Sequence, residues 1–233
     1  MNELLAERDG EVLVLFLNRQ EKANAINEAM HHELVRQLDR ASHDEGIKAV
    51  VIAAAGLAVF SAGADLKEFT ELEQGAASRR RRALILRTFT AMIDFGKPLV
   101  AAVQAKALGA GCMLALLADE VVMADNAELG MPEIKHGMPS PIGLVIIAAR
   151  GGMAVARQMV QLGESIDAKK ALSFGLVDEL ASGGRANHQA LARARALARF
   201  SGFAFKVNKH YANKELRAQL QSAAAEADRV QPV

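Results

Sequence analysis

Apolar residues are distributed along this chain in two rhythms. Short unbroken apolar runs read as β-strands: VLVLFL (Val12 to Leu17), KAVVIAAA (Lys48 to Ala55), PLVAAV (Pro98 to Val103) and EVVMA (Glu120 to Ala124). Because they are apolar throughout rather than alternating, they predict a sheet covered on both faces. Between them the spacing turns helical. Met30, Leu34, Val35 and Leu38 predict a helix from Asn27 to about Ser42, and Leu84, Leu86, Phe89 and Met92 predict another over Arg79 to Phe95. Asn18 to Asn24 is polar and loop-like. DAKKALSFG predicts a short helix capped by Asp167 and ended by Gly175, and LVDEL closes the strands. From Ala186 onward the chain reads helical, after the Gly/Ser-rich stretch ASGGRANHQ. The expected organisation is a strand-and-helix core over residues 1–185 and a helical segment over 186–233.

Composition narrows the class. Hydrophobic residues make up 51% of 233 and charged residues 24%, a globular balance. The net charge of +1 calls for neither nucleic acid nor an acidic membrane surface. No apolar run reaches 18 residues uninterrupted, so no membrane span is expected. The acidic start MNELLAERDGEV lacks the basic and apolar regions of a signal peptide. One cysteine, Cys112, precludes an internal disulfide, fits a reducing cytoplasm, and lies in an apolar run where packing is its expected role.

Two small-residue turns carry the candidate chemistry. FSAGAD (Phe60 to Asp65) and LGAG (Leu108 to Gly111) each follow a buried strand. Two such turns can each aim one backbone amide at a common oxygen, the arrangement of an oxyanion hole. GAGCML begins like a dinucleotide-binding fingerprint but lacks its third glycine. Glu133, after a strand and Pro132, is placed where desolvation raises a carboxyl pKa and suits it to proton transfer. His136 follows three residues later as a candidate pocket residue. His31 and His32 are expected on a solvated helix face. The histidines show no metal spacing, so no metal is expected. The run SRRRR (Ser78 to Arg82) is expected to be a solvated face, with phosphate contact as its functional alternative.

Together, LNRQEKANAIN, VVIAAAGLAVFSAGADLKEF, KPLVAAVQAKALGAGCMLALLADEVVMADNAELGMPEIKHGM and GESIDAKKALSFGLVDEL resemble the enoyl-CoA hydratase/isomerase (crotonase) family over residues 10 to about 180. The resemblance implies an α/β spiral of repeated ββα units with a C-terminal helical segment, and assembly as homotrimers or hexamers. It implies an acyl-CoA thioester as substrate, coenzyme A being part of the substrate and no cofactor tightly bound. It places the thioester oxygen between the amides of Ala64 and Ala110. The coenzyme A moiety is expected along Ala62, Ala64, Asp65, Leu66 and Lys67, with the Lys22–Ala23 loop as the other wall and Gly109, Met113 and Pro141 lining the acyl site.

Three departures from the family pattern stand out. Hydratases of the family carry two glutamates; one corresponds to Glu133, and the other position holds Met113. The family's PGxGG helix start reads SPIG, and Pro141 offers no N–H to a water. Ser140 and Pro141 nonetheless suit an N-cap and first helical position. The usual final helix pattern is missing, leaving the chain short by about one helix. A lone carboxylate beside an oxyanion hole implies isomerisation of 3-enoyl-CoA to 2-enoyl-CoA, with Glu133 as base and acid. The alternatives are a hydratase that manages with one acid or draws a second from elsewhere, such as Glu68 or Glu71, and a non-catalytic acyl-CoA or partner binder.

Overall fold

The computed structural model describes residues 2–65, 67–68, 76–182 and 184–230. Its main sheet has six strands in the order β1 (Leu4–Asp9), β2 (Val12–Leu17), β3 (Ala49–Ala54), β4 (Leu99–Val103), β6 (Glu120–Ala124) and β9 (Glu179–Ala181). Only β1 runs antiparallel, paired with β2 from Leu4↔Leu17 to Asp9↔Val12. The remaining pairs are parallel, Val12 facing Ala49, Val50 facing Leu99, Val100 facing Glu120 and Val122 facing Glu179. A smaller sheet joins β5 (Ala107–Leu108), β7 (Glu128–Gly130) and β8 (Ser165–Asp167). Two isolated parallel bridges, Ile26↔Ala64 and Ser61↔Ala107, link the strand exits beside it.

Parallel strands need a crossover between them, and each crossover here has the same form. The chain leaves a main-sheet strand, pairs briefly with the neighbouring exit, then enters a helix. β2 leads through Ile26 to α1 (Glu28–His43), β3 through Ser61 and Ala64 to α2 (Ala76–Asp94), β4 through β5 to α3 (Ala110–Leu116), and β6 through β7 to α4 (Pro141–Ala156). This is the expected ββα spiral. It stacks the strand exits on one another, so residues distant in sequence meet at one end of the sheet.

Every residue of β3 and β4 is buried. One cover is α6 (Ala186–Leu197), which packs on β3, β4 and β6 through fully buried Ala186, Ala190 and Ala194. Alanine at every fourth position gives this helix a smooth face that approaches the sheet closely. The helical segment that begins at Ala186 thus contributes to the central core. Truncating Ile52 in the middle of β3 to alanine would cost about 2–5 kcal/mol, because such a site cannot collapse around the lost atoms.

Helix α1 starts where Asn27 Oδ1 accepts the Met30 N–H at 2.9 Å. Met30, Leu34, Leu38 and Ala41 form its buried face. His31 lies on that face too, 2% exposed, and its Nδ1 is 3.0 Å from Thr88 Oγ1 of α2. Thr88 Oγ1 donates to Leu84 O, so the proton between the pair belongs to His31 Nδ1. The expected solvated pair therefore divides: His32 is exposed beside Glu28, and His31 is a core residue. Burial, then the charges of Arg81 and His32, lower the His31 pKa from 6.5 to about 4.

Asp167 caps α5 (Ala168–Ser173) by accepting the Lys170 N–H, and Gly175 ends it at φ +71, as the sequence predicts. Ser140 precedes α4 without capping it through its side chain, contrary to expectation. Its hydroxyl instead reaches over Gly143, where an added Cβ would come within 2.6 Å of it. The helical run Pro141–Gln161 is long and apolar enough to cross a membrane by length and composition. Gly152, at φ +80, interrupts it, and α4 packs against α3 and α8 (Lys214–Val230). Helix α7 (Gly202–Ala212) is tied to the sheet by Lys209, whose Nζ lies 2.6 Å from Asp119 Oδ2. Asp119 also accepts the Leu99 N–H, and Lys209 lies over the Phe95 ring.

Candidate active site

The two small-residue turns meet at the stacked strand exits. Phe60 and Ser61 donate their N–H groups to Lys106 O, and Leu108 N–H donates to Ser61 O at 2.9 Å. This pairing carries the chain forward into two glycines with backbones unsuited to other residues, Gly63 at φ +103 and Gly109 at φ +50, ψ −121. A Cβ on Gly63 would lie 3.0 Å from Leu108 O and 3.6 Å from Ala110 N, so the turns are in backbone contact.

The hydrogen bonding leaves the Ala64 amide over in the first turn, and the Ala110 amide is among those left over at the helix start in the second. Ile26 N–H donates to Gly63 O and Asp65 N–H donates to Ile26 O, which skips Ala64. Ala110 is the first residue of α3, where a helix has no internal acceptor for its N–H. Among the described residues neither amide has a hydrogen-bond acceptor, and both residues line one cavity of about 380 Å³.

Glu133 reaches the same cavity from the 3-10 turn Pro132–His136 that follows β7. A Cβ on Gly109 would be 2.8 Å from Glu133 Oε1, so the bare glycine is what admits the carboxyl group. Oε2 is buried and has no hydrogen-bond partner among the described residues. Burial raises the Glu133 pKa, opposed by the residue's own backbone N–H and by the charge of His136. The rest of the wall is largely apolar, with Ile85, Met113, Met138, Ile142 and Ala227. A carboxyl group held here with an unsatisfied oxygen is suited to exchange a proton with a bound molecule.

Ala62, Ala64, Gly109, Ala110, Met113, Glu133, His136 and Pro141 all line this cavity. Contrary to expectation, Lys22 and Ala23 are not among its lining residues; Lys22 is exposed, and Ala23 O accepts the Ala62 N–H at 2.9 Å. Asp65 turns inward. Burial would raise its pKa, but the Arg19 guanidinium at 3.0 Å and the Lys67 N–H hold it below the usual carboxylate range. Lys67 is exposed outside the cavity wall, and Leu66 lies outside the described residues. Of the alternative acids, Glu71 also lies outside them. Glu68 Oε2 accepts the Glu28 N–H at 3.1 Å and lies 3.8 Å from Arg81, so its carboxylate serves the start of α1 rather than the cavity. The arginine run splits: Arg79 and Arg80 are exposed, whereas Arg81 and Arg82 line the cavity, Arg82 pairing with Asp228 of α8. Cys112 is fully buried and its thiol pKa is pushed up by burial, so it packs and does not react. Among the described residues, no group of three or more His, Cys, Asp or Glu side chains is placed to hold a metal ion.

Spiral fold, paired turns and a lone carboxyl together define a crotonase-type site. The family model for enoyl-CoA hydratase/isomerase matches residues 7–231, and the chain belongs to that family. It is 38% identical over 227 residues to a 2,3-dehydroadipyl-CoA hydratase of Escherichia coli, covering 97% of this chain and 88% of that protein. A short-chain-enoyl-CoA hydratase of Clostridium acetobutylicum is 29% identical over 226 residues, 97% of this chain and 86% of its own length. Among solved structures, an enoyl-CoA hydratase/isomerase from Xanthobacter autotrophicus superposes with a TM-score of 0.90 at 30% identity, covering 98% of this chain and 87% of that one.

Proposed function

We propose that this member of the family isomerises 3-enoyl-CoA to 2-enoyl-CoA through a thioester enolate. The carbonyl oxygen accepts hydrogen bonds from the amides of Ala64 and Ala110, which strengthen as negative charge develops on it. Loss of one such donor costs roughly 3–4 kcal/mol of barrier in comparable sites. Glu133 removes a proton from the α-carbon, and the electron pair moves toward the oxygen. The same carboxyl then returns a proton to the γ-carbon as the double bond shifts into conjugation. No water enters the balance.

The observation that carries this reading is the solitary buried carboxyl. Glu133 is the one carboxylate among the described cavity-lining residues, and Met113, which by the family resemblance stands where hydratases carry their second acid, lines the wall as well. Methionine neither holds a nucleophilic water nor moves a proton, and Pro141 at the start of α4 has no N–H to help. Hydration is the second reading, favoured by the relatives that are named as hydratases. The substrate expected is an acyl-CoA thioester without a tightly bound cofactor. The chain is expected to be cytoplasmic and to assemble as a trimer or a dimer of trimers; the assembly would cover Phe200, just before α7, and Phe203, Val207 and Tyr211 on it, all of which are exposed.

Purified protein supplied separately with a 3-enoyl-CoA and a 2-enoyl-CoA separates the readings. Isomerisation much faster than hydration supports the first. Brisk hydration with negligible isomerisation replaces it with the second. Affinity without turnover of either makes the chain a binder. Sedimentation showing a stable monomer at micromolar concentration would remove the assembly proposal.

A further inference from the structure

Ser61 is the point at which the two turns are locked together. Its side chain is fully buried, and its hydroxyl donates to Asn24 O at 2.8 Å while accepting the Gly63 N–H at 3.1 Å. Its backbone is bonded in both directions to the other turn, the N–H to Lys106 O and the carbonyl to Leu108 N–H. Its Cβ presses on the start of α3: a Cβ added to Gly111 would lie 2.5 Å from Ser61 Cβ and 2.7 Å from Oγ. Asn24 is itself fixed, its Oδ1 accepting the Arg19 N–H and its Nδ2 donating to Ala55 O and Val59 O. Ser61 therefore touches the residue before Ala64 through its hydroxyl and the residue after Ala110 through its Cβ.

We propose that Ser61 is a positioning residue that sets the distance and direction between the Ala64 and Ala110 amides, and so the polarisation of the thioester carbonyl. The inference rests on the reading of those amides as the carbonyl's donors. A backbone amide has no side chain of its own to hold it. Without the hydroxyl, Gly63 N–H loses its acceptor, and the Ala62–Gly63 peptide, which precedes the plane carrying the Ala64 N–H, loses the bond that holds its amide. The bond from Ile26 N–H to Gly63 O, which holds the Gly63–Ala64 plane itself, remains, so the turn persists, but Gly63 is held from one side only and the Ala64 N–H is aimed less tightly. The fixed alignment that favours the enolate over the ground-state thioester is what weakens.

The test uses butanoyl-CoA carrying ¹³C at the thioester carbonyl, a saturated probe that cannot isomerise. In the wild type, the bound carbonyl resonance is expected to move downfield from its free position. Ser61→Ala is expected to lose at least half of that displacement and to lower kcat for 3-enoyl-CoA by about 10-fold or more, with KM changed less than threefold. A purely structural role would alter stability and leave the bound carbonyl shift in place. The double variant Ser61→Gly/Gly111→Ala exchanges the contacting Cβ atoms while omitting the hydroxyl. It is expected to match Ser61→Ala in shift and rate, and it keeps the question answerable if Ser61→Ala does not fold. Gly111→Ala alone retains the hydroxyl but forces the turns apart, and is expected to lose the shift as well. A folded variant without the hydroxyl that keeps the wild-type shift and kcat overturns the role of Ser61 and leaves the two amides as donors. A wild type that binds butanoyl-CoA without displacing its carbonyl resonance overturns the donor reading, and this inference with it.

Discussion

Gly109→Ala probes the join between the Gly109–Ala110 turn and the Glu133 carboxyl group. The substitution adds one carbon, but the structure gives that carbon nowhere to go. At φ +50 and ψ −121 the backbone is in a region that L-residues rarely adopt, at a cost of order 1–3 kcal/mol. The new Cβ would also sit 2.8 Å from Glu133 Oε1 and 3.8 Å from Gly63 Cα. The glutamate is the softer neighbour, so the carboxyl group must retreat by several tenths of an ångström. Both effects act on the same site. The expected result is a fall of about 2–10 °C in Tm, from a few degrees per kcal/mol for a domain of this size. If Glu133 carries the proton as proposed, misplacement of its carboxyl group by such a distance is expected to lower kcat by about 10- to 100-fold. Melting followed by circular dichroism and steady-state turnover of 3-enoyl-CoA measure the two effects separately. A variant with wild-type Tm and wild-type kcat would refute the account, since it would mean that neither the strain nor the contact exists.

Other consequences follow from buried charges. His31 is neutral when folded, so between pH 6.5 and about 4 the unfolded chain binds a proton that the folded chain does not, and stability falls with pH across that window. The shift amounts to about 3 kcal/mol by pH 4, and His31→Gln is expected to flatten the acid limb of a denaturation series. Lys209→Met leaves Asp119 buried without its cation and is expected to cost about 3–5 kcal/mol, whereas adding Asp119→Asn is expected to recover part of that loss in the same urea titration. Glu133 shows the opposite linkage to His31. Burial raises its folded pKa, so its contribution to stability falls as pH rises from the ordinary carboxylate range through that raised value. Glu133→Gln is therefore expected to melt higher than wild type at pH 7 while losing activity, a gap that closes on acidification. A Tm lowered at pH 7 would contradict that assignment.

Much of this arrangement was legible in the sequence because local signals agreed with the global fold. EVVMA is a strand with the expected limits, Asp167 and Gly175 bound their helix, and the paired small-residue turns do face one cavity with Glu133. The N-terminal strand Leu4–Asp9 escaped because Glu7, Arg8 and Asp9 make its exposed edge look like a loop. Gly10, at φ +60 and first of the two loop residues between Asp9 and Val12, was the hairpin signal that would have found it. His31 stands four residues after Asn27 and three before Leu34, on the buried stripe of α1, so helical spacing alone would have placed it inside. Ser61, Asn24 and Arg19 are different. Their roles depend on contacts between separate turns of the spiral, and no local pattern announces which carbonyl a buried hydroxyl will meet.

The central claim is that one buried carboxyl carries the proton from the α-carbon to the γ-carbon without solvent water between. A 3-enoyl-CoA deuterated at the α-carbon, converted in ordinary water and stopped early, tests it directly. If Glu133 is the sole carrier in a dry pocket, part of the deuterium will appear at the γ-carbon of the 2-enoyl product. Glu133→Gln is expected to lower the rate by at least about 100-fold. Complete loss of deuterium to solvent, together with an undiminished rate in Glu133→Gln, would contradict the claim and assign the proton to another group.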